Sequence, residues 1–237
     1  MTAPPATWAE FWRDHDVVGD AESEADAAGF APEAARVLAL GREDDLLDVG
    51  CGGGFVLAAL APTVRSVVGV DGSPRLVEAA RARLAGVGGA QVHLVHAARP
   101  GDLGAAAGRR YSAILCHSVV QYLPDVAAAE ALVRALLEVA APGARILVSD
   151  LVVADSRWAD ARGLLRTAWR RGTLRDAWAR LRRARGSAYG AVRARLGLLA
   201  VDPTRLAEVA RRAGAHAEVL DAPISALANR RHLLLRR

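Results

Sequence analysis

This sequence predicts an α/β fold in which a parallel sheet of about seven strands is covered by helices on both faces. Three observations carry that expectation. Short apolar runs alternate with longer helical patterns, the mark of strands whose crossovers are helices. Helix-start signals recur between the runs, as at Ser73-Pro74 and Asp202-Pro203. A hydrophobic content of 52% over 237 residues is enough to build a full core.

The strands are expected at Leu46–Val49, Ser66–Val70, Val92–Val95, Ala113–Leu115, Arg145–Val148, Ala217–Leu220 and His232–Leu235. Between them, Ser73 caps a helix that runs toward Gly86, and Asp202 caps one that stops at Gly214. Asp125 caps the apolar helix Val126–Ala140, which Pro142-Gly143 should end. Ahead of the first strand, Thr7 and Glu10 match a capping box, with Trp8, Phe11 and Trp12 on one helix face. Pro32–Leu40 reads as a second short helix. The whole chain, 1–237, is expected to form one domain. Residues 1–40 would be lid helices, 41–154 and 201–237 the core, and 155–200 a helical cap inserted after the fifth strand.

Every one of the 31 basic residues is arginine, in keeping with a GC-rich coding sequence. The net charge of +5 is uneven: residues 155–200 hold 12 Arg and 3 Asp, a balance of +9, against −4 for the rest. The N-terminal residues MTAPPATWAEFW have neither a basic start nor an apolar signal core, so a cytoplasmic protein is expected. No apolar run reaches the roughly 18 residues that span a bilayer, and no membrane partner is expected. Cys51 and Cys116 are too few for a disulfide framework and lack metal-site spacing, so no metal is expected.

The strongest local signal is Leu46-Leu47-Asp48-Val49-Gly50-Cys51-Gly52-Gly53-Gly54, an apolar strand entering a glycine-rich turn before a helix at Phe55–Leu60. Glycines are needed where the backbone turns sharply and where a ligand lies against bare peptide. A dinucleotide fingerprint would place Gly or Ala where Phe55 stands, and a phosphate loop needs the lysine that this chain lacks. Asp48, two residues before the first glycine, suits a ligand bearing an ammonium group better than a pyrophosphate. The second strand ends in Val70-Asp71-Gly72-Ser73, and an acid there can accept hydrogen bonds from ribose hydroxyls.

The ordered runs LLDVGCGGG, VVGVDGSPRLVEAAR, YSAILCHSVVQYLPD and APGARILVSD resemble the class I S-adenosylmethionine-dependent methyltransferases over about residues 40–152. The resemblance implies a Rossmann-like, mostly parallel sheet whose antiparallel tail is the segment ending NRRHLLLRR. It implies S-adenosyl-L-methionine as cofactor and S-adenosyl-L-homocysteine as product. Asp48, Gly50, Cys51 and Gly52 would lie beside the methionine portion, and Asp71 would hold the ribose hydroxyls. Gly72 and Ser73 would line the adenine side, and the Cys116 carbonyl would take a hydrogen bond from the cofactor's amino group. His117 and Tyr122 would face cofactor and acceptor. The chain departs from the family pattern at Val95-His96-Ala97-Ala98, where Ala98 stands in place of the usual adenine-binding Asp. Asp102 or the Ala98 backbone amide remain as ways to fill that contact.

His117 is the candidate general base, because it follows the strand end where the acceptor approaches and imidazole titrates near neutral pH. Trp8, Trp12, His15, Trp158 and Trp169 are the candidate acceptor contacts. Trp158, Leu165, Trp169, Leu174, Trp178 and Leu181 fall at helical spacing, which favours a packed core for the cap. The expected acceptor is a small organic molecule, methylated on oxygen in preference to nitrogen or carbon, with a lean toward bacterial specialised biosynthesis. Nucleic acid is not the expected partner, and monomer and homodimer both stay open. Two alternatives also stand: an RNA or protein methyltransferase using the basic cap, and a fold member that binds the cofactor for a non-methylating reaction such as cyclisation.

Overall fold

The computed structural model describes residues 4–14, 20–96, 99–175, 177–178, 181, 187–222, 224–225, 227 and 229–237, excluding the side chains of 20–22, 157 and 171. His15 and Ala98 lie outside the described residues. The strands are β1 (Asp45–Val49), β2 (Ser66–Asp71), β3 (Gln91–Leu94), β4 (Tyr111–His117), β5 (Ala140–Leu151), β6 (His216–Leu220) and β7 (Arg231–Arg236). They form one sheet in the order β3-β2-β1-β4-β5-β7-β6. β1 to β5 pair in parallel, and β7 runs antiparallel between β5 and β6. The expected Rossmann-like sheet with an antiparallel last strand is present.

The described helices are α1 (Trp8–Asp14), α2 (Asp20–Val37), α3 (Phe55–Leu60), α4 (Pro74–Arg83), α5 (Val126–Val139), α6 (Arg157–Arg171), α7 (Ala188–Leu196) and α8 (Pro203–Arg212). Successive strand residues point to opposite faces, so a sheet covered on both sides needs apolar residues at every position. Leu46, Val67 and Leu115 accordingly pack with Phe30 of α2, Leu57 of α3 and Val77 of α4. Their neighbours Leu47, Val68 and Ile114 pack on the other face with Leu132 and Leu136 of α5 and Leu206 of α8. The cap signals act as expected. Ser73, Asp125 and Asp202 accept from the backbone N–H groups of Leu76 (3.5 Å), Ala128 (2.8 Å) and Thr204 (2.9 Å). Thr7 accepts from Glu10 N–H at 3.2 Å, while the Glu10 carboxylate takes the N–H of Ala6.

Three expectations are corrected. The helix expected at Pro32–Leu40 belongs to the longer α2, which passes through Pro32; burial of Phe30, Ala31 and Ala34 against α3 and the sheet offsets the lost backbone hydrogen bond. Pro142-Gly143, expected as a stop after α5, lies inside β5, which begins as soon as α5 ends. Gly143 adopts φ +77° there, and its N–H donates to the Arg237 carbonyl at 2.8 Å. The tryptophans expected to fill the cap core face solvent instead: Trp158 is 81% exposed and Trp169 76%. Alanines, Ala168 and Ala177, take the buried positions there.

Candidate active site

A cavity of ≈ 1440 Å³ opens at the carboxyl ends of β1, β2 and β4, with walls from α1, α2, α6 and α7. The strand order reverses between β1 and β4, so the loops after these strands diverge and leave a crevice between them.

The glycine turn forms its floor. Gly50 and Cys51 donate to the Val70 carbonyl at 2.8 and 3.1 Å, which ties the turn to the tip of β2. Gly50 has φ +76°, and a Cβ there would sit 2.3 Å from Cγ2 of Val119. Gly52 has φ +53° and meets nothing on that side, so bare peptide faces the cavity. The Asp71 carboxylate accepts from Gly52 N–H and Ser73 N–H, both at 2.9 Å. Those bonds pull its pKa down while burial pushes it up more strongly.

Asp48 is buried beneath this floor, and burial first, then the Asp71 charge, raises its carboxyl to about 7. A raised carboxyl pKa contributes stability that is complete below the unfolded value near 3.8 and is lost as pH rises through about 7. The cofactor-free protein is therefore expected to lose on the order of 4 kcal/mol from this group as pH climbs from 4 to above 7. Asp48→Asn should flatten that slope in urea unfolding series. A slope identical to that of the native chain would show that Asp48 is not the titrating group.

Past β4 the wall becomes aromatic and polar. His117 stacks on Phe30 of α2 at 3.7 Å between centroids, with 17° between planes. Burial lowers its pKa, opposed by the charges of Asp150 and Asp26. Its buried Nδ1 has no hydrogen-bond partner among the described residues. Trp8 and Trp12 pack against Tyr122 at 4.9 and 5.2 Å between centroids, and Trp8 Nε1 donates to the Gly197 carbonyl at 2.8 Å. Ser118 and Asp150 adopt φ +60° and +68°, a conformation uncommon for residues with a Cβ. The register of β5 against β7 shifts between Val148 and Leu151, turning Asp150 toward β4. Asp150 then accepts from the Ser118 hydroxyl at 2.7 Å. Its own N–H donates to Nδ1 of His232 at 3.3 Å, and burial holds that imidazole down at about 4 and so neutral.

Asp48, Gly50, Cys51, Gly52, Asp71, Gly72, His117, Tyr122, Trp8, Trp12 and Trp158 all line the cavity. Ser73 and Cys116 do not: both are fully buried behind its wall. Trp169 is not brought to the cavity either, because it points outward from α6. Asp102 does line it, and its carboxylate accepts from His96 N–H at 3.2 Å and Gly104 N–H at 2.9 Å. Sequence reasoning missed Asp26 and Phe30 of α2, Gln121, Tyr189, Arg193 and Arg230, all of which face the same space. Only Gln121, the neighbour of Tyr122 after β4, had a positional signal. The others reach the site through packing of segments far apart in the chain.

A doubly wound sheet with bare peptide at the tip of β1 and a carboxylate at the tip of β2 defines a protein that binds a nucleoside-linked ligand at its switch point. Residues 47–146 match the family model described as a methyltransferase domain. The chain is 30% identical over 125 residues to a ubiquinone biosynthesis O-methyltransferase of Xanthomonas axonopodis pv. citri, covering 53% of this chain and 46% of that one. It spans less than half the length of the curated relatives it matches. An O-methyltransferase of neocarzinostatin biosynthesis, NcsB1, solved with S-adenosyl-L-homocysteine and 1,4-dihydroxy-2-naphthoic acid, shares its fold. The TM-score is 0.55 at 22% identity, over 90% of this chain and 54% of that one. The N-methyltransferase NodS of Bradyrhizobium japonicum WM9, solved with S-adenosyl-L-homocysteine, superposes with a TM-score of 0.53 at 16% identity, over 95% and 89% of the two chains. The match over residues 47–146 marks a methyltransferase domain, with S-adenosylmethionine as its cofactor. The residues at hand fit that cofactor: the open peptide at Gly52, the acid at Asp71 and the buried acid at Asp48 face one continuous cavity. Among the described residues, no helix is long and apolar enough to cross a membrane.

Proposed function

We propose that this protein methylates an oxygen atom of a small organic acceptor in biosynthesis, with His117 as the base that takes the acceptor's proton. The observation that carries this reading is the unpartnered Nδ1 of His117, buried in the cavity wall between the glycine turn and the aromatic patch. Bound S-adenosylmethionine supplies an electrophilic methyl carbon on a sulfonium. The residues of the chain then have three tasks.

Asp71 holds the ribose hydroxyls and the Gly50–Gly52 peptide the amino-acid part, which fixes the direction of approach. Alignment of this kind contributes roughly 7–11 kcal/mol. Asp102 takes the adenine amino group in place of the acid missing at Ala98. Trp8, Trp12 and Tyr122 cover the acceptor and exclude water. A neutral imidazole at Nδ1 can accept a hydroxyl proton, and the nearby carboxylates of Asp150 and Asp26 favour the imidazolium that results.

Sequence relatives named as ubiquinone biosynthesis O-methyltransferases support oxygen as the atom methylated. A cavity of this size suits a small molecule, and two arginines of the cap and tail, Arg193 and Arg230, are paired with acids inside its wall. We assign residues 1–40 the role of a lid and 155–200 that of a cap over one domain.

Incubation with methyl-labelled cofactor and a panel of phenolic acceptors, read by mass spectrometry, tests the reading. Label on a phenolic oxygen is expected. Acceptor conversion without label would overturn it in favour of a non-methylating reaction, and label recovered only in RNA or protein would overturn the small-molecule assignment.

A further inference from the structure

The acceptor half of the cavity contains a buried ion network that the methyl-transfer reading leaves unused. Arg230, just ahead of β7, is 4% exposed. Its Nη2 donates to Asp160 of α6 at 3.1 Å, and its Nε lies 3.6 Å from Asp150. Arg193 of α7 pairs with Asp160 at 2.6 Å and with Asp155 at 2.5 Å. Asn229 donates to the same Asp160 at 2.8 Å. Among the described residues Nε and Nη1 of Arg230 form no hydrogen bond, although the side chain lines the cavity. A buried guanidinium that leaves N–H donors unused is costly unless an oxygen completes it.

The charges restrict which oxygen that is. Asp150, Asp155 and Asp160 face Arg193 and Arg230, three carboxylates against two guanidiniums, so the network already has its counter-charges. A carboxylate brought to Arg230 would add a further negative charge beside Asp150 and Asp160. An uncharged carbonyl oxygen accepts the same N–H groups without that repulsion. In the same cavity, Trp12 contributes a second donor, Nε1, without a partner among the described residues, and an aromatic wall with Tyr122.

Resting on the reading of the site as the acceptor pocket of an O-methyltransferase, we infer that Arg230 is a specificity residue that reads a neutral carbonyl oxygen on a planar hydroxylated ring. The acceptor class is thus a hydroxyaryl ketone, quinone or ester, not a hydroxyaryl acid.

The test separates binding from transfer. Protein loaded with S-adenosyl-L-homocysteine, which cannot react, is titrated by calorimetry with dihydroxyacetophenone, resorcinol and dihydroxybenzoate. The ketone is expected to bind at least tenfold more tightly than resorcinol, and the acid no better than resorcinol. Arg230→Lys keeps the positive charge toward Asp150 and Asp160 but loses the guanidinium fork. It should erase the ketone advantage while leaving product-cofactor affinity near its native value. Tighter binding of the acid than the ketone, or equal binding of ketone and resorcinol by the native protein, would overturn the inference. A folded Arg230→Lys variant that retains the ketone preference would also overturn it. The native comparison needs no variant, so a failure of Arg230→Lys to fold does not remove the test. Ketone preference without label transfer would sink the methyl-transfer reading and leave the carbonyl subsite standing.

Discussion

Asp71→Ala is expected to weaken S-adenosyl-L-homocysteine binding roughly 10- to 150-fold, the equivalent of about 1.5–3 kcal/mol for lost charge-assisted hydrogen bonds. The side chain has two duties. Its oxygens hold the N–H groups of Gly52 and Ser73, with the Gly72 N–H as a third backbone donor, and the acceptor capacity that remains is available to a ribose hydroxyl. Asp71→Asn should behave differently from alanine. The amide retains one acceptor oxygen and can hold one side of the turn, so its loss should be smaller. Removing Asp71 also removes the second cause of the raised Asp48 pKa, so the Asp48 titration in Asp71→Ala should move to lower pH. Calorimetric affinities for the native chain and both variants measure the first effect. An alanine variant that is folded and binds as tightly as the native chain would place the ribose elsewhere.

His117→Ala is expected to lower kcat by about 10²–10⁴-fold, the usual contribution of a positioned base, with cofactor affinity nearly unchanged. Because burial lowers the His117 pKa, the imidazole stays neutral into mildly acidic solution. Turnover should therefore hold as pH falls through the ordinary histidine range near 6.5 and decline only below it. His117 also fills space against Phe30, so His117→Phe separates packing from chemistry by keeping the stacked ring without a basic nitrogen. If the phenylalanine variant turns over as fast as the native chain, the imidazole takes no proton. If only the alanine variant is slow, the ring acts as a wall.

Legibility from the sequence followed the range of the interaction concerned. The caps at Ser73, Asp125 and Asp202 were readable because each is completed within three residues. Asp48, Gly50, Gly52 and Asp71 were readable because a strand-to-helix turn and the next strand tip are local features, placed side by side by any parallel β1–β2 pair. The cap tryptophans were misread for the complementary reason. Helical spacing tells which residues share a face, and α6 turns the face carrying Trp158 and Trp169 to solvent while burying Ala168 and Asp160.

What this sequence determined unaided is a doubly wound sheet with a cofactor turn on its first strand, because apolar period, caps and a glycine run encode those features locally. What only the tertiary structure decided is the acceptor side. There Phe30 meets His117, a β5 bulge aims Asp150 at Ser118, and Arg230 is buried against Asp160 seventy positions earlier in the chain. Burial and unmatched hydrogen-bond donors are properties of packed surfaces, and a list of residues does not contain them until distant segments have been brought into contact.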